Sequence, residues 1–338
     1  VAFNWPCRLK RVLFSWPASA SACHCCFMAA CRWGFRLRLF LLLGMRAAFH
    51  LASGTAAGES LVPLAVKLPA VFSSGEVSKV HRLAETVRSS RLASKLTYGV
   101  GGDGHESLFL HEHMDQVFPK LRRKMLKLAR QAMAAWGWDA DSLGTVTARC
   151  AQLLRYTGGE QHANTGWHGD GGTLVTMAVM LSARGAYSGG ISLFRANDTA
   201  AGHEQHTLQA GDALAWRGWT DHRVGTVSGG VREVFVMEWW TGKDAASSHA
   251  PRGSDSVAGL ELALSLDPTS APLHVWLGEA HCRHLPCREE GAAAAKAAEA
   301  AYRQAVTLAP QSAAALEALG LFLSGGGGPP AGPPGARP

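Results

Sequence analysis

The sequence contains no run of 18 or more apolar residues. A helix that crosses a bilayer needs about 20 of them, so a polytopic membrane protein is excluded. Residues 1–58 contain no Asp or Glu, yet carry seven basic residues (Arg8, Lys10, Arg11, Arg32, Arg36, Arg38 and Arg46). The formal net charge of +7 therefore belongs to this segment, because the rest of the chain balances 26 basic against 26 acidic residues. A charge-neutral body gives no compositional reason to expect a nucleic-acid partner. Cysteine is scarce in the body as well. Five of the eight lie within the first 31 residues, and only Cys150, Cys282 and Cys287 follow, too few and too scattered for a disulfide framework.

The chain is nevertheless 47% hydrophobic over 338 residues. That suffices for a sizeable core and two or three domains, and it argues against general disorder. Residues 1–58 read as a leader. Arg32, Arg36 and Arg38 precede the apolar Leu39–Leu43, and small residues follow at Ala52–Gly58. A signal peptide or anchor starting at Met28, an organelle transit peptide and a segment that is never translated all fit this pattern. The secretory pathway, with the endoplasmic reticulum, is the favoured compartment; an organelle and the cytoplasm are the alternatives. Membrane association is expected only if this segment is an anchor. Cys23-His24-Cys25-Cys26 matches no paired metal-binding spacing.

The body starts at 59. Residues 62–98 read as mixed helix and strand, and Gly99–Gly104 as a loop. A helix is expected from Asp115, as its N-cap, to Trp136. Phe118, Leu121, Met125, Leu128 and Met133 recur at helical spacing, and Lys120, Arg122, Arg123, Lys124 and Lys127 form a solvated face. The pattern then changes to short β-rich runs at Val146–Tyr156, Leu174–Leu181, Ile191–Phe194, Gln205–Leu208, Ala213–Trp216 and Glu233–Trp240. Runs of this kind without intervening helices indicate an antiparallel sandwich or barrel. Residues 244–257 read as a linker. Beyond them, Ala263–Pro268 matches Ala305–Pro310 with a period of 42, and Leu277-Gly278 matches Leu319-Gly320. The tail at 325–338 is Gly/Pro-rich and read as disordered.

The chemistry concentrates between 153 and 240. In an extended chain, residues i and i+2 share a face, so His168 and Asp170 converge on one point. A second imidazole would complete three facial ligands and leave positions open for substrate and O2, an arrangement that suits non-haem Fe(II). His222, placed just before another strand, is the natural third ligand. Arg232, expected to open the last strand, offers a bidentate partner for a dicarboxylate, and Tyr156 offers a hydroxyl to the same group.

In this order, Tyr156, His168-Gly169-Asp170, Gly189-Gly190-Ile191-Ser192-Leu193-Phe194, Gly211-Asp212-Ala213-Leu214, His222 and Arg232 resemble the Fe(II)/2-oxoglutarate dioxygenases. The resemblance is closest to the prolyl 4-hydroxylase and lysyl hydroxylase catalytic domain and covers a little over a quarter of the chain. It implies a double-stranded β-helix (jelly roll) and iron held by His168, Asp170 and His222. It implies 2-oxoglutarate held by Arg232 and Tyr156, with succinate and CO2 as co-products and ascorbate as the reductant that rescues oxidised iron. The 258–324 segment resembles degenerate tetratricopeptide repeats, which implies a protein partner. Two departures bear on the substrate: Gly171-Gly172 follow the His-x-Asp, and the basic residue is Arg232, where collagen-type prolyl hydroxylases usually have Lys.

The rival pair His113 and Asp115 lacks the downstream pattern, and His162 stands against His222. His281, Cys282, His284 and Cys287 have loosely metal-like spacing, read as incidental. Trp167, Trp216, Trp219, Trp239 and Trp240 read as core, with the substrate entrance as the alternative for Trp167 and Trp219, which flank the ligands. The resulting expectation is an α+β oxygenase domain at 59–243, with helices packed on a jelly roll and a short helical repeat module after it. It would hydroxylate a peptidyl prolyl or lysyl side chain. Two alternatives are the same chemistry on a small molecule, and a helical-repeat interaction protein whose barrel is inactive.

Overall fold

Ser73 and Glu76 start the first helix by capping each other. The Glu76 amide donates to Ser73 Oγ at 3.3 Å, and the Ser73 amide donates to the Glu76 carboxylate at 2.8 Å. The computed structural model describes residues 62–89, 96–98, 105–111, 114, 118–159, 165–196, 203–241, 257–282 and 291–325. The leader at 1–58, the Gly99–Gly104 loop, His113, Asp115, His162, residues 244–256, His284, Cys287 and the tail from 326 lie outside them.

The strands are β1 (Ala65–Leu68), β2 (Leu96–Tyr98), β3 (His105–Phe109), β4 (Thr147–Thr157), β5 (Val175–Met180), β6 (Tyr187–Gly189), β7 (Ser192–Arg195), β8 (Glu204–His206), β9 (Ala213–Arg217), β10 (Asp221–Val224) and β11 (Val227–Trp240). The helices are α1 (Ser74–Ser89), α2 (Pro119–Ala135), α3 (Val257–Leu266), α4 (Ala271–His281), α5 (Gly291–Leu308) and α6 (Ala313–Leu323). Among the described residues, no helix is long and apolar enough to cross a membrane.

All strand pairs are antiparallel. An eight-stranded sheet runs β1-β9-β5-β11-β4-β3-β2, with β6 added on β11, and a three-stranded sheet runs β10-β7-β8. β11 organises the large sheet, and its alternation divides two cores. Phe235, Met237 and Trp239 face a cluster formed with α1, α2, α3 and α4, whereas Val234 and Val236 face a second cluster with Tyr156, Phe194, Leu214 and Trp216. That second cluster draws on both sheets, and the candidate site sits within it. A third cluster joins α4, α5 and α6. Ser270 and Ser312 cap α4 and α6 in the same way, accepting from Leu273 and Ala315.

Several expectations need correction. The helix expected from Asp115 starts at Pro119, with Phe118 as its N-cap. Proline suits the first helical position, where no backbone donor is needed. The basic face of α2 is not wholly solvated, because Lys124 reaches Glu76 at 2.7 Å and lies over the Phe72 ring. Cys282 is disulfide-bonded, which the sparse cysteine count did not suggest, while Cys150 is a buried free thiol. Strands β3, β6 and β10 were not anticipated.

Phe235 is fully buried at the centre of β11. Phe235→Ala is expected to lower the unfolding free energy by about 3–5 kcal/mol. Urea titration should report this as a shifted midpoint at unchanged slope.

Candidate metal centre

Two imidazoles are brought together by the backbone. His168 and His222 form an isolated antiparallel bridge, the His168 amide donating to His222 O at 3.1 Å and the His222 amide to His168 O at 2.9 Å. Residues paired this way project side chains to the same face, and the ring centroids lie 4.3 Å apart. On its other flank, His222 pairs with Phe194 of β7, whose ring stacks on it.

His168 and Asp170 share a face as expected, but not as members of a regular strand. Asp170 is fixed by its amide, which donates to Gly218 O at 2.7 Å. The chain then turns: the Thr173 amide donates to Asp170 O at 3.2 Å, with Gly172 at φ +86°. A positive φ at the third position is what a type II turn requires. The turn delivers the chain into β5, where Thr176 reaches back to the ligand. His222 lies inside the short strand β10 rather than just before a strand, and Arg232 lies mid-way along β11 rather than at its start.

The three side chains present a metal-binding donor set. One ligand atom from each of His168, Asp170 and His222 falls within 4.8 Å of the others. Each histidine has its Nδ1 against a carbonyl, at 2.8 Å from Gly166 O and 3.0 Å from Thr220 O. For a neutral ring, this places the proton on Nδ1 and a lone pair on Nε2. The Nε2 atoms face the Asp170 carboxylate at 3.8 and 3.7 Å, too far for a hydrogen bond. Burial pushes the His222 imidazole down to about 4, so it is neutral at neutral pH. Burial alone would raise the Asp170 carboxyl. The facing imidazoles and the hydrogen bonds from Thr176 (2.6 Å) and Trp216 (2.9 Å) outweigh it and hold the group below its ordinary value. Both of those bonds go to Oδ2, which leaves Oδ1 turned toward His168. In that tautomer the two Nε2 lone pairs and the Asp170 carboxylate converge.

Arg232 and Tyr156 are cross-strand partners on β11 and β4. The guanidinium is 2% exposed, lies over the Tyr156 ring and donates to Ser192 Oγ at 3.3 Å. Its Nε and Nη1 have no partner. Ser192 is two residues from Phe194 on β7, so Arg232 and His222 face the same interior. Gly190 makes room for the side chain: a Cβ there would lie 2.7 Å from Arg232 Cδ. No ion pair to Arg232 forms among the described residues.

Sequence reasoning missed Thr176, Trp216, Gly190 and Ser192 as supports. It also missed the buried Arg149–Glu238 ion pair, whose carboxylate accepts from Thr173 at 3.4 Å. Burial, together with the charge of Asp170, raises the Glu238 carboxyl against the opposing effect of Arg149. Gly190 and Ser192 lie inside the Gly189–Phe194 motif, but their part beside Arg232, like the roles of Thr176, Trp216, Arg149 and Glu238, is set by neighbours in space. Trp219 is not at a substrate entrance: it is 3% exposed and stacked on Trp138. Trp167 lies against Arg195 and Arg223, on the opposite face of the small sheet from His222.

No protein-family model matches the chain, and no curated protein matches it. Solved structures do resemble it. A prolyl-4-hydroxylase from Pseudomonas putida is 13% identical, with a TM-score of 0.40 over 52% of this chain and 91% of that one. A 2OG-Fe(II) oxygenase family member from Burkholderia pseudomallei is 17% identical, with a TM-score of 0.39 over 52% and 84%. The alpha ketoglutarate dependent epimerase SnoN from nogalamycin biosynthesis is 18% identical, with a TM-score of 0.42 over 56% and 81%.

Proposed function

We propose that the protein is an Fe(II)- and 2-oxoglutarate-dependent dioxygenase that hydroxylates a C–H bond in a peptidyl prolyl or lysyl residue. The observation that carries this reading is the convergence of ligand atoms from His168, Asp170 and His222, with a buried Arg232 whose Nε and Nη1 have no partner facing the same interior. The donor set fits the metal. Two neutral nitrogens and one carboxylate oxygen on one face suit non-haem Fe(II) and leave positions for other ligands. The orphaned Nε and Nη1 of Arg232 fit the far carboxylate of 2-oxoglutarate.

His168, Asp170 and His222 would hold the iron. Gly166 O and Thr220 O keep each ring in the ligating tautomer, and Thr176 and Trp216 hold Asp170 Oδ2 so that one oxygen faces the metal. Arg232, braced by Tyr156 and Ser192, would fix the co-substrate. Phe194 and Trp216 exclude water around His222. When bound, iron with 2-oxoglutarate and O2 supplies the oxidising chemistry that turns C–H into C–OH and releases succinate and CO2, with ascorbate as the maintaining reductant. The sheets are read as a jelly roll, and α3–α6 as a degenerate tetratricopeptide-like segment carried on it. A small-molecule substrate is the alternative within the same chemistry.

Succinate formation by the full chain with Fe(II), 2-oxoglutarate and ascorbate tests this reading. Proline- or lysine-containing peptides should stimulate turnover, and His168→Ala should abolish it. Turnover indifferent to every peptide would favour the small molecule. Absence of turnover in a folded protein that also binds no iron would leave an interaction protein with an inactive barrel.

Arg232→Gln should raise the KM for 2-oxoglutarate by about 100-fold, the loss of a bidentate charged contact, while leaving metal affinity within a few-fold. Gly190→Ala, which crowds the same side chain, should shift KM in the same direction by less. Equal effects of Arg232→Gln on metal and co-substrate binding would contradict the separate roles.

A further inference from the structure

α3 and α4 touch the barrel where the metal ligands are supported. Asp267, in the turn between these helices, accepts two hydrogen bonds on Oδ2, from Arg217 Nη1 and Trp219 Nε1, each 2.8 Å. Those donors bracket Gly218, whose carbonyl holds the Asp170 amide. One residue beyond Trp219, Thr220 O holds the His222 Nδ1 at 3.0 Å. A single stretch, 217–222, therefore carries a support for one ligand and the whole of another, and a carboxylate from the helical segment grips it.

A second contact reaches the same turn from α4. A Cβ on Gly169, between the two ligands His168 and Asp170, would lie 2.9 Å from the Trp276 ring. Trp276 thus lies against the backbone of the His-Gly-Asp segment. Leu260, Ala263 and Leu273 of α3 and α4 join the buried cluster that contains Trp219, so the two helices bury apolar surface against the barrel there.

We propose that α3 and α4 are part of the metal site's scaffold, with Asp267 a positioning residue that fixes the 217–222 stretch and Trp276 a stop behind the His-Gly-Asp turn. This rests on reading His168, Asp170 and His222 as metal ligands. The helical segment is then an integral buttress of the catalytic unit, not only a surface for partners.

The test uses the full chain and Co(II), whose visible absorption reports both affinity and ligand geometry. Asp267→Ala should weaken Co(II) binding by about 10–100-fold, the usual range when a group behind the ligands is lost, and should alter the absorption band. Asp267→Asn, which keeps an acceptor oxygen, should recover part of the affinity. Glu76→Gln, which breaks a distant ion pair with Lys124, should leave both readouts unchanged. If Asp267→Ala does not fold, Trp219→Phe keeps an aromatic ring and deletes one donor, and should show a smaller loss of the same sign. Wild-type affinity and spectrum in a folded Asp267 or Trp219 variant would overturn the proposal alone. Failure of the wild-type chain to bind Co(II) would overturn the metal reading with it.

Discussion

The site depends on one arrangement: two imidazoles whose Nδ1 atoms lie against backbone carbonyls and whose Nε2 atoms face one carboxylate. The carbonyls of Gly166 and Thr220 lie within hydrogen-bond reach of the rings. The rings are aligned by the reciprocal bridge between their own backbones. Three electron-rich donors aimed at one point would attract a cation, and in a buried interior that attraction is weakly screened. Thr176 and Trp216 both donate to Asp170 Oδ2 and so fix the orientation of the carboxylate.

The Arg232 end of the chamber poses the complementary problem. A guanidinium at 2% exposure with two nitrogens unpartnered is costly. The Tyr156 face and the Ser192 hydroxyl offset part of that cost, and an incoming carboxylate would offset the rest. Gly190 matters here because the chain passes so near the arginine stem that a side chain would displace it. The interior thus holds an anionic and a cationic receptor, each incomplete alone, which is the polarity needed for a cation and a dicarboxylate bound together.

Much of this was legible in the sequence where spacing carries information. The longer strands, the α2 periodicity and the order Tyr156, His168, Asp170, His222, Arg232 could be read directly. β3, β6 and β10 could not, because their Ser, Gly, Asp and Glu residues dilute the β-branched and aromatic pattern that marks a strand. That is why His222 was expected beside a strand and is found within one. Trp216 and Trp219 illustrate the remaining limit. Both look like core tryptophans, yet the indole N–H of one goes to Asp170 and that of the other to Asp267, partners 46 and 48 residues away in the chain. Such pairings are set by three-dimensional closure and leave no local trace.

Gly172 and Arg232, the parts of the two departures from the collagen-type pattern that the structure explains, have local causes. Gly172 sits at positive φ in the turn that closes on Asp170, so that glycine answers to backbone geometry and not to substrate size. Arg232 lies over the Tyr156 ring while reaching Ser192. A planar fork does both at once, whereas a lysine ammonium would have to choose between ring and hydroxyl. On the proposed reading, the residues that would hold metal and co-substrate serve a prolyl side chain, a lysyl side chain and a small molecule alike, so selectivity would reside in side chains that meet the substrate elsewhere.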